Sequence, residues 1–353
     1  MAVKNIPVDE FVFDNNKPHI IIDVRSPSEF SHAHMPGAIS IPLFSDEERK
    51  IVGTAYKQQS RQAAIKIGLD FYGLKMKKVV EEVEAAVAQY NTKLTGSKTN
   101  ISIYLHCWRG GMRSAAVAWL LDLYGFVVFT LSGGYKSYRA WVLKMLTQPL
   151  SFKVLGGFTG SGKTELLQYM QINDEAVLNL ENLANHKGSA FGALGIQEQP
   201  SQEMFENAIA AAIHEITKNG INRCIWVEDE SQRIGKVIIP LAIFENMRQS
   251  PLYFLDIPFE ERLKNIIQTY GSHSADELAS CISRISNRLG GLETKLAINF
   301  LFQDNVTESF RILLNYYDKW YGKGLQNRKT LPQNIYKIPC ETITEENFKK
   351  LAL

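Results

Sequence analysis

The 353-residue chain carries 39 Lys and Arg against 37 Asp and Glu, a formal charge of +2, with 45% hydrophobic and 22% charged residues. That make-up excludes a disordered polyelectrolyte and is enough for two domains, each with its own core. No apolar run approaches the ~18 residues of a spanning helix, the N-terminus has no secretory h-region, and Cys107, Cys224, Cys281 and Cys340 form no CxxC pair. The expectation is a cytoplasmic protein without membrane contact, disulfide framework or zinc site. Charge balance is silent on nucleic acid, which a local basic face can bind.

In chain order, His19–Val24 is a short apolar run of the kind buried in a parallel sheet. Ser26 and Pro27 then open a helix as cap and first-turn residue. Ala38–Pro42 predicts a strand, residues 46–90 two or three helices, Ile101–His106 a strand, Ser114–Leu123 a helix and Val127–Leu131 a strand. Gly133-Gly134 leads into a helix through Met145. A seam at Thr147–Leu150 precedes a fresh strand, Phe152–Gly156, after which strand and helix alternate again. Strands are predicted at 223–227, 252–256 and 334–338, and residues 275–320 as almost wholly helical. The fold class is α/β: an N-terminal parallel-sheet domain over 1–147, and over 148–353 a second α/β domain with a helical C-terminal part.

His106-Cys107-Trp108-Arg109-Gly110-Gly111-Met112-Arg113-Ser114 lies between a predicted strand and helix. A loop curling into a helix N-terminus aims backbone N–H groups and the helix dipole inward, both of which favour a thiolate. Arg109 and Arg113 add positive charge and attract an anionic substrate, and Gly110 and Gly111 allow a tight turn. Cys107 is therefore the candidate catalytic residue, and Trp108 to Arg113 its cradle. The string also matches the cysteine-dependent phosphatase signature. Upstream, Asp23-Val24-Arg25-Ser26-Pro27-Ser28-Glu29-Phe30 and His34-Met35-Pro36-Gly37-Ala38 resemble the rhodanese pattern over about residues 8–145. That resemblance implies structural roles for Asp23, Arg25, Glu29 and His34. The stretch from Cys107 to Arg113 is one residue longer than in ordinary rhodaneses, which implies a wider loop able to admit a tetrahedral oxyanion.

Gly157-Phe158-Thr159-Gly160-Ser161-Gly162-Lys163-Thr164 matches the P-loop pattern and follows a predicted strand. Gly157, Gly160, Ser161, Gly162, Lys163 and Thr164 are the candidate phosphate-binding residues, with the Thr164 hydroxyl placed for Mg²⁺. Asp229 or Glu228, closing the apolar run from Cys224, is the candidate Walker B acid, with Asp256 as a lower-ranked rival. His186–Ser189 is a loop that could line the site. Arg284 and Arg288 are expected on one helix face, and Cys224, Cys281 and Cys340 as packing residues. Tyr135–Trp141 and Tyr316–Lys323 interleave aromatic and basic residues in a manner suited either to RNA or to a helix core.

Both loops in one chain, together with Val227-Glu228-Asp229-Glu230-Ser231-Gln232-Arg233-Ile234-Gly235, resemble the tRNA 2-selenouridine synthase family over essentially the whole chain. The lack of an obvious coiled coil or exposed apolar helix makes a monomer the expectation. The resemblance implies an enzyme acting on the wobble 2-thiouridine of lysine, glutamate and glutamine tRNAs. It implies S-geranylation from geranyl diphosphate, then replacement of the geranylthio group by selenium from selenophosphate through selenium bound to Cys107. It implies Mg²⁺ and these co-substrates, but no tightly bound cofactor. The alternative is a cysteine-dependent phosphatase fused to a kinase-like P-loop domain. A non-catalytic sulfur-sensing or RNA-binding module is a further one.

Overall fold

Short apolar runs build both sheets of the computed structural model, which describes residues 3–13, 18–93, 101–218, 223–326, 328 and 334–350. The chain divides into two units, Met1–Lys144 and Met145–Leu353. Strands of the first are β1 (Lys4–Ile6), β2 (His19–Asp23), β3 (Ile39–Ser40), β4 (Ser102–His106) and β5 (Val128–Leu131). They pair in the order β1-β5-β4-β2-β3, every pairing parallel. Every residue of β4 is buried, as a middle strand covered on both faces requires.

Residues 46–93 form three helices, Asp46–Gln58, Arg61–Gly73 and Met76–Lys93. Ser45 caps the first by accepting from the Glu48 N–H while Glu48 accepts in return from the Ser45 N–H. Ser26 opens the Pro27–His32 helix as expected. The core joins Ile20, Ile22, Ile103 and Leu105 of the sheet to Val79 and Val83 of the third helix and to Val117 and Leu121 of the Met112–Tyr124 helix. Strand β1 escaped sequence reading because three residues, two of them exposed, leave no periodic signal.

The second unit contains β6 (Phe152–Gly157), β7 (Val177–Leu178), β8 (Ile225–Glu228), β9 (Arg233–Ile234), β10 (Val237–Ile238), β11 (Leu252–Asp256) and β12 (Ile335–Pro339). Five make a parallel sheet in the order β12-β11-β6-β8-β7, and β9 and β10 form a separate antiparallel pair. Residues 275–326 are four helices: Ala275–Arg284, Ser286–Leu289, Gly291–Phe302 and Val306–Gln326. Their apolar sides bury Cys281, Ile282, Ala297, Leu301, Phe310 and Leu313 in one cluster. In each unit the loop singled out from sequence leaves the carboxyl end of the middle strand, β4 or β6, where neighbouring connections diverge and a crevice opens. Among the described residues no helix is long and apolar enough to cross a membrane.

Candidate functional site

Cys107 directly follows β4 and is only 3% exposed. Its Sγ lies 3.2 Å from the Ser114 hydroxyl. Burial alone would raise the thiol. The Ser114 hydroxyl, the Arg113 guanidinium and the Ser114 and Gly111 backbone N–H groups outweigh it and hold the thiol below its ordinary value. Arg113 is thus an arginine whose charge acts on the sulfur, while Arg109, Trp108 and Met112 are exposed around it. Ser114 had been read only as the start of a helix; its side chain also donates to the Gly111 carbonyl at 3.0 Å, which closes the turn.

The loop is held from below by a segment the sequence reading had treated as a helix start. Tyr135 and Lys136 N–H groups donate to the Cys107 and Trp108 carbonyls at 2.8 and 2.9 Å. Such an approach needs glycine on both sides. Gly110 and Gly134 both have φ of +61°; a Cβ on Gly110 would lie 2.5 Å from the Leu131 carbonyl, and one on Gly134 would collide with the Gly110 nitrogen and the Cys107 carbonyl. Beneath, Asp23 and Arg25 form a buried pair (2.6 Å), Arg25 donates to the Ala33 carbonyl and its guanidinium covers Tyr135 at 3.7 Å. His34 stacks on Phe30. Glu29 does more than support the fold: it accepts from the Ser26 N–H at 3.0 Å and from Arg113 at 2.9 Å, tethering the arginine that faces the thiol. His106 is fully buried, and burial lowers its pKa to about 4, so it is neutral and no proton carrier at pH 7.

The P-loop runs from β6 into the Lys163–Ile172 helix. Gly157, Gly160 and Gly162 have φ of +154°, +81° and +75°. A Cβ on Gly162 would collide with Ile343, so the turn into this helix tolerates no side chain. Lys163 Nζ donates to the Gly157 carbonyl at 2.9 Å across the loop. Ser161 Oγ is buried without a partner. Sequence reading missed two buttresses. Arg262 donates to the Thr159 carbonyl at 3.2 Å while paired with Asp318 at 2.7 Å. Tyr321 accepts from the Gly157 N–H at 3.3 Å.

Glu181 meets Thr164 and gathers two further carboxylates, Glu228 and Glu230, beside it; Glu181 and Glu230 carry no assigned role in the sequence. The Thr164 hydroxyl donates to Glu181 at 3.0 Å, and the Glu181 N–H donates to Glu228 at 2.6 Å. A Cβ on Gly188 would lie 2.7 Å from Glu230 and 2.9 Å from Glu181, which brings the His186–Ser189 loop onto this cluster. Burial and then the Glu181 charge push Glu228 up to about 8. The same two causes raise Glu230, against the opposing pull of Lys163. Glu228 Oε2 is buried without a partner. Hard oxygen donors of this kind suit Mg²⁺, which takes one or two protein ligands and completes its shell with water and phosphate. Thr164, Glu181 and Glu228 would hold it, although no described group of three or more acids has metal-cage spacing. Glu181 sits in a one-turn helix after a two-residue strand, where no motif marks it.

Asp229, the other candidate beside Glu228, is occupied elsewhere. It accepts from Arg328 at 2.5 Å, Arg248 at 3.4 Å and the Tyr321 hydroxyl at 2.7 Å, so it clamps the sheet to the C-terminal helices. The alternation along β8 sends consecutive side chains to opposite faces. Asp256 is exposed. Arg284 and Arg288 do not share a helix face, because the helix ends at Ile285 between them. Tyr135, Tyr138 and Trp141 are buried under the Cys107 loop rather than displayed. In the second stretch only Trp320 is an exposed large ring, with Lys323 over it at 4.9 Å. Cys281 and Cys340 are buried packing residues, but Cys224 is exposed.

Comparison with known proteins agrees with this architecture. The tRNA 2-selenouridine synthase AAA domain family matches residues 150–335, and the rhodanese-like domain family residues 11–140. A tRNA 2-selenouridine synthase of Shewanella denitrificans is 37% identical over 82% of this chain and 75% of its own length. One from Nitrosomonas europaea is 38% identical over 71% of this chain and 63% of its own length. One from a Sulfurovum strain is 33% identical over 88% of this chain and 90% of its own. The chain belongs to the tRNA 2-selenouridine synthase family.

Proposed function

We propose that this chain converts wobble 2-thiouridine of lysine, glutamate and glutamine tRNAs to 2-selenouridine, working as a cytoplasmic monomer. In the first step the thiouridine sulfur attacks C1 of geranyl diphosphate, the C–O bond breaks and pyrophosphate leaves. A P-loop suits that leaving group: Lys163 supplies charge, and a glycine-rich turn into a helix N-terminus offers backbone N–H donors to a diphosphate. Mg²⁺ held by Thr164, Glu181 and Glu228 would neutralise developing negative charge. In the second step selenium from selenophosphate replaces the geranylthio group. Cys107, a soft nucleophile held toward its thiolate, attacks C2 of the geranylated base and displaces geranylthiolate; the selenium of selenophosphate, drawn in by Arg113, then displaces Cys107, and water carries the phosphoryl group away as phosphate.

The observation that supports this reading best is the Cys107 sulfur set against Ser114 and Arg113 in a chain that also bears a complete P-loop. The test is nucleoside mass spectrometry of 2-thiouridine tRNA incubated with the protein, geranyl diphosphate, selenophosphate and Mg²⁺. Wild type yields 2-selenouridine, Cys107→Ala stops at the geranylated nucleoside, and Lys163→Ala loses about 10²–10³-fold in the geranylation rate while still selenating pre-geranylated RNA. Unchanged thiouridine with folded wild type rejects the proposal. Phosphate release from an aryl phosphate, lost in Cys107→Ser, would establish the phosphatase reading instead.

A further inference from the structure

Beside the Cys107 loop lies an apolar cleft of about 130 Å³, open to solvent. One wall is Met112 and Arg113, the two residues between Gly111 and Ser114, whose N–H groups face the Cys107 sulfur. The opposite wall comes from the Asp46–Gln58 and Arg61–Gly73 helices, and Phe44 lies at their foot. Gly68 opens the floor: a Cβ there would lie 3.2 Å from the Phe44 ring.

Two of the polar groups in these walls are turned to other work. Tyr72 donates its hydroxyl to the Ala116 carbonyl at 3.2 Å, and Arg113 is tethered to Glu29. An occupant is therefore offered hydrocarbon contact and little hydrogen bonding. The rim is apolar as well. Leu69 is 59% exposed, Tyr56 54% and Met112 46%, and all three line the cleft.

We infer that this cleft receives the alkyl chain carried on the sulfur of the substrate nucleoside, so that the carbon bearing that sulfur is presented to Cys107. The inference rests on the proposed reaction and deepens it, because it assigns a place to the apolar part of the molecule entering the selenium step. Continuity selects this occupant. The cleft adjoins the Cys107 loop at Met112 and Arg113, and Arg113 can face an anion with the hydrogens not directed at Glu29. The drive is withdrawal of hydrocarbon from water, worth about fourfold in affinity per buried carbon.

The test uses the full chain with anticodon stem-loop RNAs whose 2-thiouridine sulfur bears a methyl, butyl or geranyl group. Selenium incorporation is followed by nucleoside mass spectrometry. In wild type kcat/KM rises at least about sixteenfold from methyl to geranyl, chiefly through KM, the effect of burying only two of the nine added carbons. Leu69→Asp and Tyr56→Glu, both at exposed positions, reduce that ratio to within about threefold. A ratio unaltered in both variants overturns the inference. If wild type selenates none of the RNAs, the reaction reading fails and the cleft is judged on binding alone. In that case the Met112 methyl resonance is followed during titration with geranyl methyl sulfide. A shift in wild type that Leu69→Asp abolishes sustains the cleft as an alkyl-chain site, and the lack of any shift removes it.

Discussion

The Cys107 loop and the P-loop occupy equivalent places in two unrelated sheets, and their electrostatics run in opposite directions. Each leaves the carboxyl end of the middle strand of a five-stranded parallel sheet and turns into a helix N-terminus. Around Cys107 the nearby charge is Arg113, the one carboxylate tethering it is Glu29, and the thiol is drawn toward its anion. Beside the P-loop Glu181, Glu228 and Glu230 cluster, Lys163 acts on Glu230, and two of these acids are pushed toward their neutral forms. A helix N-terminus favours negative charge in both places. What differs is what surrounds it. The first site stores an anion of its own to use as a nucleophile, whereas the second arranges groups that take up charge when a phosphate and its cation arrive.

The comparison breaks most visibly at the contact between the two glycine turns of the first unit. Gly134→Ala places a Cβ against the Gly110 nitrogen and the Cys107 carbonyl at a positive φ. Expected is a loss of about 4 kcal/mol or more in urea denaturation, with Cys107 alkylation no longer selective over the other cysteines. In the second unit Asp229→Ala leaves the fully buried Arg328 guanidinium without its carboxylate. The expected cost is about 3–5 kcal/mol, and Asp229→Asn, which keeps an acceptor for Tyr321, should cost less.

A smaller effect tests the acid cluster. Glu228 ionises near pH 8 when folded, above its ordinary 4.5, so the folded state binds the extra proton between those values. Stability from this group is complete below about pH 4.5, falls as pH rises to about 8 and is level above that. Glu228→Gln keeps the acceptor for the Glu181 N–H and removes the titration. The variant should therefore gain on wild type progressively from pH 5 to 8, by the order of 3 kcal/mol, read as midpoint temperatures in thermal unfolding. A flat difference would mean that Glu228 is ionised throughout. The smallest effect sharpens the other side: Ser114→Ala removes the hydroxyl at the sulfur, so iodoacetamide alkylation of Cys107 at pH 7 should slow about threefold, with its inflection moved to higher pH. An unchanged inflection would leave Arg113 and the backbone N–H groups as the whole cause.

Some of the architecture was legible because it is written in local pattern. The apolar runs of β2 and β4, the Ser26-Pro27 helix start and the P-loop glycines each depend on neighbours within a few residues. Where an interaction spans distant segments, nothing local announces it. Glu181 reaches Thr164 across 17 positions, Arg328 reaches Asp229 across 99, and Glu29 reaches Arg113 across 84. The aromatic stripes show the same limit: Tyr135 and Tyr138 carry a pattern suited to either RNA or core, and burial decided for core. Which of Glu228 and Asp229 faces Thr164 was likewise undecidable from their adjacency, since one step along a strand reverses the face.

By itself, then, the amino-acid order determined the two α/β domains, the strand-to-helix placement of both reactive loops and the residues that compose them. Those follow from backbone stereochemistry and short-range periodicity, which act at close spacing along the chain. Only the tertiary structure decided which charges meet at each loop, which acids lose their ionisation through burial, and that an apolar cleft opens beside Cys107. Desolvation and Coulomb interaction depend on distance in space and on exclusion of water, and neither exists until the sheets and helices have packed.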